Sequence, residues 1–274
     1  MLTATILALA AAVLHAGWNL WVKQSGDRWI ALWGQMTCAG IASAVILLVV
    51  GGAHNIAWWP FIVSGLIHVV YISSLAHAYN LGDFSVTYPI ARGTGALLAA
   101  IGGILFLSDS LSVVAVLGIC ISTAGIMLLA GRADSSHVSA ALLVAVTIGA
   151  YSVVDGYGSR QMGGNLYPLL LFIATGTSLT ATGLVRGRAA DMVSALRLSW
   201  HRFTFAGLAS LLTYWMVLIA MQRAPIGYIT ALRESSVVIV ALVGTRYLGE
   251  KDMLRRTIAA SIVVAGLCVL VVGR

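Results

Sequence analysis

Two arginines lie inside long apolar stretches of the chain, and their type and spacing point to chemistry in the interior of the protein. Arg92 and Arg233 are 141 residues apart. A charged side chain in the middle of a bilayer costs about 2.5–3.5 kcal/mol even on the mildest scale, so its presence needs a reason. A guanidinium binds a carboxylate or a phosphate through two parallel hydrogen bonds. The arginines therefore predict either an anion-binding pair or two structural charges bonded to carbonyl groups or a neighbouring acid.

The sequence around these arginines repeats at the same spacing of 141 residues. The matching segments are Ile90-Ala91-Arg92 with Ala231-Leu232-Arg233, Leu107-Ser108-Asp109 with Leu248-Gly249-Glu250, and Ala124-Gly125-Ile126 with Ala265-Gly266-Leu267. This repeat predicts two halves, residues 1–131 and 138–274, built around one polar site.

Two acidic residues are candidates for proton coupling or gating. Glu234 follows Arg233 directly, and consecutive side chains on a helix point about 100° apart, so the two need not pair with each other. Glu234 is expected either to carry a proton or to pair statically with an arginine. Asp155 is expected on the same side of the membrane as Arg233, where it either contacts Arg233 as a gate or simply reaches the interface.

A weaker sequence repeat relates the first predicted helix to the sixth. His15 and Asn19 correspond to Tyr151 and Asp155 at a spacing of 136 residues, and each pair shares one helix face because its members are four residues apart. The candidate substrate-binding residues are Arg92, Arg233, Asn19, His15, Tyr151, Tyr214 and Trp18. Aromatic packing is the alternative role for Trp18 and Tyr214.

The composition places the chain in a membrane. It is 60% hydrophobic and 9% charged, whereas soluble domains carry about 25% charged residues. Apolar stretches of about 20 residues recur, which is the length of a helix that spans a bilayer. The net charge is +7, and apart from Arg92 and Arg233 the Lys and Arg residues lie in or beside predicted loops. They form no basic stripe interleaved with aromatic residues, so nucleic-acid binding is excluded. The three cysteines lack metal-ligand spacing, and no cofactor is expected.

We predict an all-α polytopic membrane protein of ten transmembrane helices. The predicted helices are 2–22, 29–50, 57–79, 84–106, 111–130, 138–157, 166–185, 203–222, 226–247 and 254–273. The longest predicted loop is 186–202, in which Ser194–Trp200 could form a short interfacial helix. Because each half has five helices, the second half enters the membrane from the opposite face, which makes the repeats inverted.

The distribution of Lys and Arg predicts the orientation. The loops after the odd-numbered helices, with their flanks, hold Lys23, Arg28, Arg132, Arg186, Arg188, Arg197, Arg202, Arg246, Lys251, Arg255 and Arg256, and the other side holds Arg160, Arg223 and Arg274. The positive-inside rule then places the odd loops in the cytoplasm and both termini outside.

Several motifs resemble those of the drug/metabolite transporter superfamily, EamA type. They are Leu248-Gly249-Glu250 after the ninth helix, its copy Leu107-Ser108-Asp109, His15-Ala16-Gly17-Trp18-Asn19, and the segment Gly82–Gly93 around Pro89 and Arg92. The resemblance covers essentially the whole chain. It implies helices around a central cavity without a bound cofactor, and both termini in the cytoplasm, which disagrees with the charge count.

These features lead us to expect a secondary active transporter, an exporter of a small polar or anionic metabolite such as an amino acid, coupled to protons. The alternative is a flippase for a lipid-linked headgroup or a phosphonate-type substrate. No nucleotide-phosphate loop and no pairing of a nucleophile with a base is present, so neither ATP hydrolysis nor an enzyme is expected. We expect a monomer or homodimer, integral to the plasma membrane (the inner membrane of a bacterium), whose partners are a small-molecule substrate and the lipid bilayer.

Overall fold

The computed structural model describes residues 1–23, 25–51, 57–81, 84–129, 135–162, 166–239 and 253–273. The side chains at 18–23, 79, 84–86 and 253 are outside this description. The described residues form helices joined by short connections, and none of them lies in a strand.

Ten helices and one short helical segment make up the described part of the chain. The helices are α1 (Leu2–Lys23), α2 (Arg28–Val49), α3 (Trp58–Leu81), α4 (Phe84–Leu107), α5 (Val113–Leu129), α6 (Ser135–Gln161), α7 (Tyr167–Val185), α8 (Ala189–Met221), α9 (Ile226–Arg233) and α10 (Met253–Val272). Residues 235–239 are helical after a turn at Glu234. Seven of these helices (α2, α3, α4, α6, α7, α8 and α10) are long and apolar enough to cross a membrane, so the chain is an all-helical polytopic membrane protein.

Three helices differ from the sequence-based boundaries. Helix α8 begins at Ala189, inside the predicted loop 186–202, and its backbone leaves helical geometry at Ser199. Before Ser199, Met192 is buried and Ala195 and Leu196 are partly buried at helical spacing, while the other residues from Ala189 to Leu198 are exposed, so a run that is too polar to span a membrane still forms an amphipathic helix. Helix α6 runs to Gln161, four residues beyond the predicted end. The predicted helix 226–247 is interrupted at Glu234.

The helices pack in a regular set of pairs. The pairs in closest contact are α4 with α6, α5 with α10, α2 with α7, α2 with α8, α3 with α6, α1 with α8, α3 with α7, α4 with α5, α4 with α9, and α1 with α9. Small residues allow some of these pairs to approach closely. A Cβ at Gly40 of α2 would lie 2.8 Å from the carbonyl oxygen of Phe172 in α7, and one at Gly125 of α5 would lie 2.8 Å from the backbone nitrogen of Val263 in α10.

Acidic side chains outside the apolar interior hold helix ends together. Asp27 accepts a hydrogen bond from the Ile30 backbone N–H at the start of α2 and forms an ion pair with Arg188 at the start of α8. Asp109, in the α4–α5 connection, accepts a hydrogen bond of 2.7 Å from the Ile226 N–H at the start of α9. The same carboxylate lies 2.8 Å from Nη1 of Arg160 at the end of α6. We call the contact of Asp109, Arg160 and Ile226 the α4–α6–α9 clasp.

Candidate functional site

A cavity of about 60 Å³ lies among buried side chains of seven helices near the middle of the bundle. Its lining residues are His15, Met36, His68, Tyr71, Tyr151, Leu171, Phe172, Thr175, Ser210, Thr213, Tyr214 and Arg233. The cavity is several times larger than one ordered water requires, and small enough to restrict a ligand to a few heavy atoms.

Arg233 is the cationic residue of this cavity wall. It is the last residue of α9, where the partial negative charge of the helix end favours a cation. It is 5% exposed, and its Nε has no hydrogen-bond partner in the described part of the chain. Its guanidinium carbon lies 5.7 Å from the centre of the Tyr214 ring. A buried guanidinium with an unused donor beside a cavity is suited to bind an anion there.

Arg92 occupies a different environment from Arg233. Its guanidinium meets the Glu234 carboxylate through two contacts, Nη2 to Oε1 at 2.7 Å and Nε to Oε2 at 3.3 Å. Both side chains are buried, and neither lines the cavity. Of the two interpretations that the sequence left open for Arg92, the structure shows pairing with a neighbouring acid, because Glu234 balances its charge; the placement of Arg92 beside Arg233 in one anion site is wrong. Glu234 takes the static pairing that the sequence left open beside a proton-carrying role.

Asp155 is held by two tyrosines rather than by an arginine. The Tyr167 hydroxyl donates to Oδ1 at 2.7 Å, and the Tyr214 hydroxyl donates to Oδ2. The carboxylate is fully buried. A direct contact between Asp155 and Arg233, which the sequence suggested as a gate, is absent because Tyr214 stands between them, with its hydroxyl on Asp155 and its ring beside the guanidinium. The interpretation that Asp155 simply reaches the interface is also wrong, since the side chain is 0% exposed.

Aromatic rings form much of the cavity wall. His68 stacks on Tyr151 with ring centres 4.4 Å apart, and both rings stand edge-on to Tyr214 and Tyr71. Nδ1 of His68 lies 2.8 Å from the Ser64 carbonyl oxygen. A carbonyl only accepts, so Nδ1 carries a proton, and in the neutral ring Nε2 remains an acceptor. The wall therefore combines apolar ring faces with a few neutral polar groups.

The structure brings together four of the predicted substrate-binding residues and separates a fifth. His15, Tyr151, Tyr214 and Arg233 line the cavity, whereas Arg92 does not. The side chains of Trp18 and Asn19 lie outside the described residues, as do Leu248–Glu250 and Gly82–Asp83 of the family motifs.

Several polar residues of the site were not singled out by the sequence. They are Tyr167, which bonds Asp155, and Thr175, Ser210 and Thr213, which line the cavity. Single hydroxyl groups in apolar helices carry no periodic signal. The one available clue was that a buried carboxylate such as Asp155 needs donors.

Metal binding finds no support in the described residues, because no three His, Cys, Asp or Glu side chains there are grouped as metal ligands.

Comparison with known proteins identifies structures of similar fold but no matching family. No protein-family model matches the chain, and no curated protein matches it. Twenty-nine chains of solved structures match. One of them, described only as "Crystal structure of protein", superposes with a TM-score of 0.79 at 19% sequence identity, covering 99% of this chain and 98% of that one. At this identity the likeness concerns the fold alone.

Proposed function

We propose that this chain is a secondary active transporter of a small polar or anionic metabolite, in line with its resemblance to EamA-type transporters. The observation that carries the proposal is Arg233, a buried guanidinium with an unpartnered Nε, in the wall of an internal cavity of a membrane protein. An inert helix bundle has little use for such a charge, because burying it is costly. A substrate anion would supply the missing partner.

The packing pairs support two five-helix halves, 1–131 and 138–274, that cross the membrane ten times as inverted repeats. Exchanging the halves converts α3–α6 packing into α8–α1, α2–α8 into α7–α3, and α4–α6 into α9–α1, and all of these pairs occur. The pairs α2–α7 and α5–α10 convert into themselves. Transporters built this way bind substrate where the repeats meet, as at this cavity, and expose it alternately by rocking one half against the other.

The coupling of this transport to protons is assigned to Asp155. It is joined to Arg233 through Tyr214, so a charge arriving at Arg233 acts on the carboxylate across a single side chain. Glu234 serves instead as the partner of Arg92. The plasma membrane, the inner membrane of a bacterium, is the proposed location, with export as the direction.

The first test is a thermal-shift screen of the detergent-purified protein followed by counterflow in proteoliposomes. Amino acids, organic acids, phosphonates, sugar phosphates and cationic drugs are compared, since a ligand that binds only the folded state raises its melting temperature. We expect stabilisation and counterflow with an anionic class, both lost in Arg233→Ala and kept in Arg223→Ala, an exposed arginine outside the cavity.

Other outcomes of this screen would change the proposal. Stabilisation by cationic drugs alone, unchanged in Arg233→Ala, would remove the role of Arg233. Activity only on lipid-embedded substrates would favour the flippase alternative, which the small cavity volume disfavours.

A further inference from the structure

The charges around the cavity restrict which anions it can bind. This inference rests on the proposed function. Among the lining residues that the structure describes, Arg233 is the one permanently charged side chain. The other polar lining groups are the hydroxyls of Thr175, Ser210, Thr213 and the tyrosines, and the imidazoles of His15 and His68. The described part of the wall thus offers a positive charge and neutral hydrogen-bonding groups, but no carboxylate.

Every carboxylate that the structure describes already has a partner elsewhere. Glu234 pairs with Arg92, and Asp155 accepts from Tyr167 and Tyr214. The remaining three are held outside the apolar interior: Asp27 and Asp191 contact Arg188, and Asp109 belongs to the α4–α6–α9 clasp. Asp83, Asp134, Glu250 and Asp252 fall outside the described residues, and the sequence predicts loops for all four.

A zwitterionic amino acid fits this wall poorly. When its carboxylate binds Arg233, its ammonium group lies only two bonds from the carboxylate carbon and therefore close to a like charge. No carboxylate of the described wall is present to balance that ammonium, and leaving a charge unpaired in an apolar site is costly. The ring of Tyr214, an aromatic face that could attract a cation, already faces the Arg233 guanidinium.

A hydroxyl in place of the ammonium removes this conflict. It is neutral, and it can both donate and accept. The described wall offers matching groups: Oγ1 of Thr175 is buried without a hydrogen-bond partner there, and Nε2 of neutral His68 can accept. The faces of Tyr71, Tyr151 and Phe172 provide apolar contact for a short side chain, and the volume of about 60 Å³ keeps the molecule small.

We propose that the cavity binds a small 2-hydroxy monocarboxylate in preference to the α-amino acid of the same shape, with its carboxylate on Arg233 and its hydroxyl beside Thr175 and His68. The chemical class is thus a monoanion without a positive charge.

Matched pairs of ligands test the proposal on the full-length protein. L-lactate is compared with L-alanine, and glycerate with serine, in thermal-shift titrations and in counterflow. We expect an apparent Kd at least roughly ten-fold lower for each hydroxy acid, a difference of about 1.4 kcal/mol. Equal or tighter binding of alanine and serine overturns the proposal.

Failure of the proposal differs from failure of the proposed function. If a phosphonate or another anion binds with dependence on Arg233 while both hydroxy acids fail, the selectivity is wrong and transport of an anion stands. If none of the screened compounds shifts the melting temperature or exchanges, and Arg233→Ala behaves as wild type, both are wrong.

A pair of variants at Thr175 tests the cause of the selectivity. Thr175→Asp places a carboxylate in the wall, and Thr175→Asn is its uncharged control of similar size. Both variants lose the threonine hydroxyl and only Thr175→Asp adds a charge, so we expect Thr175→Asp to shift the lactate-to-alanine affinity ratio toward alanine by roughly ten-fold more than Thr175→Asn does. An equal shift in both variants contradicts the charge argument. If Thr175→Asp does not fold, the wild-type ligand pairs still decide.

Discussion

Arg92 of α4 and Glu234, at the end of α9, form a two-point ion pair that joins the two halves of the sequence across the buried interior. Both side chains are buried, at 5% and 3% exposed. A pair of this kind contributes little net stability compared with apolar residues, but removing one partner strands the other charge in a low-dielectric region. The pair therefore fixes how α4 meets α9 more than it adds to the total free energy of folding.

The first prediction concerns this pair. Glu234→Gln should lower the free energy of unfolding by about 3–5 kcal/mol, because the Arg92 guanidinium loses its counter-charge. The double variant Arg92→Gln/Glu234→Gln should recover much of that loss, since no charge is then left unpaired. Thermal unfolding of the purified variants in one detergent measures both. A double variant as unstable as the sum of its single variants would show that the two residues do not act together.

The second prediction separates the two contacts of Tyr214. Tyr214→Phe removes the hydroxyl that donates to Asp155 but keeps the ring beside Arg233. It should cost about 1–3 kcal/mol of stability, because a buried carboxylate loses one of its hydrogen-bond donors, while the affinity for an anion changes little. Tyr214→Leu should weaken anion binding as well.

Tyr157→Phe is the control for this comparison, because Tyr157 packs on Trp59 outside the cavity. A melting temperature of Tyr214→Phe equal to that of Tyr157→Phe would mean that the Asp155 contact carries no stability.

The sequence identified the charges of the site but not their partners. Arg92, Arg233, Glu234 and Asp155 stand out because ionic groups in apolar stretches are expensive. Which of them pair depends on how α4, α6, α8 and α9 approach one another, and nothing local to the chain encodes that. Tyr214 separates Asp155 from Arg233 by a side-chain position that only tertiary packing sets.

Helix boundaries were predictable where the length of an apolar stretch sets them. They were not predictable where a helix contains polar residues. The apolar stretches of α2, α3 and α7 ended near the expected residues. Polar residues made 186–202 look like a loop with at most a short interfacial helix at Ser194–Trp200, whereas helix α8 begins at Ala189, since a helix at an interface is polar on one face and apolar on the other. No Gly or Pro lies at Glu234 to indicate that α9 is interrupted there.

The third prediction concerns the α4–α6–α9 clasp. Asp109→Ala removes the cap of α9 and the ion pair with Arg160 together. It should lower the free energy of unfolding by about 1–2 kcal/mol, the usual cost of losing such a cap, since the Arg160 side chain is 27% exposed and its pairing adds little. Asp191→Ala, an exposed residue paired within its own helix turn with Arg188, is the control and should change stability less. Equal effects would contradict the capping role.

The fourth prediction is a pH dependence at the start of α2. Partial burial alone raises the pKa of the Asp27 carboxyl, but hydrogen bonds from Arg188 and from the Ile30 N–H outweigh burial and hold the pKa below its ordinary value of 3.8. A depressed pKa stabilises the folded state above pH 3.8, and this contribution is lost as the pH falls through the lower folded value. Asp27→Asn should therefore flatten the fall in melting temperature below about pH 4.

Asp191→Asn is the control for this measurement, because Asp191 contacts the same arginine from an exposed position. A wild-type acid profile in Asp27→Asn would contradict the assignment.

The fifth prediction concerns orientation, on which the charge count and the family resemblance disagree. The Lys and Arg excess on the odd loops places Ser194 in the cytoplasm and Gln161 outside. Both positions are exposed, so a single cysteine at either one can be labelled after Cys38, Cys120 and Cys268 are replaced by alanine. A membrane-impermeant maleimide should label Gln161→Cys in intact cells and Ser194→Cys only after permeabilisation. The reverse pattern would put both termini, and with them the α4–α6–α9 clasp, on the cytoplasmic side of the membrane.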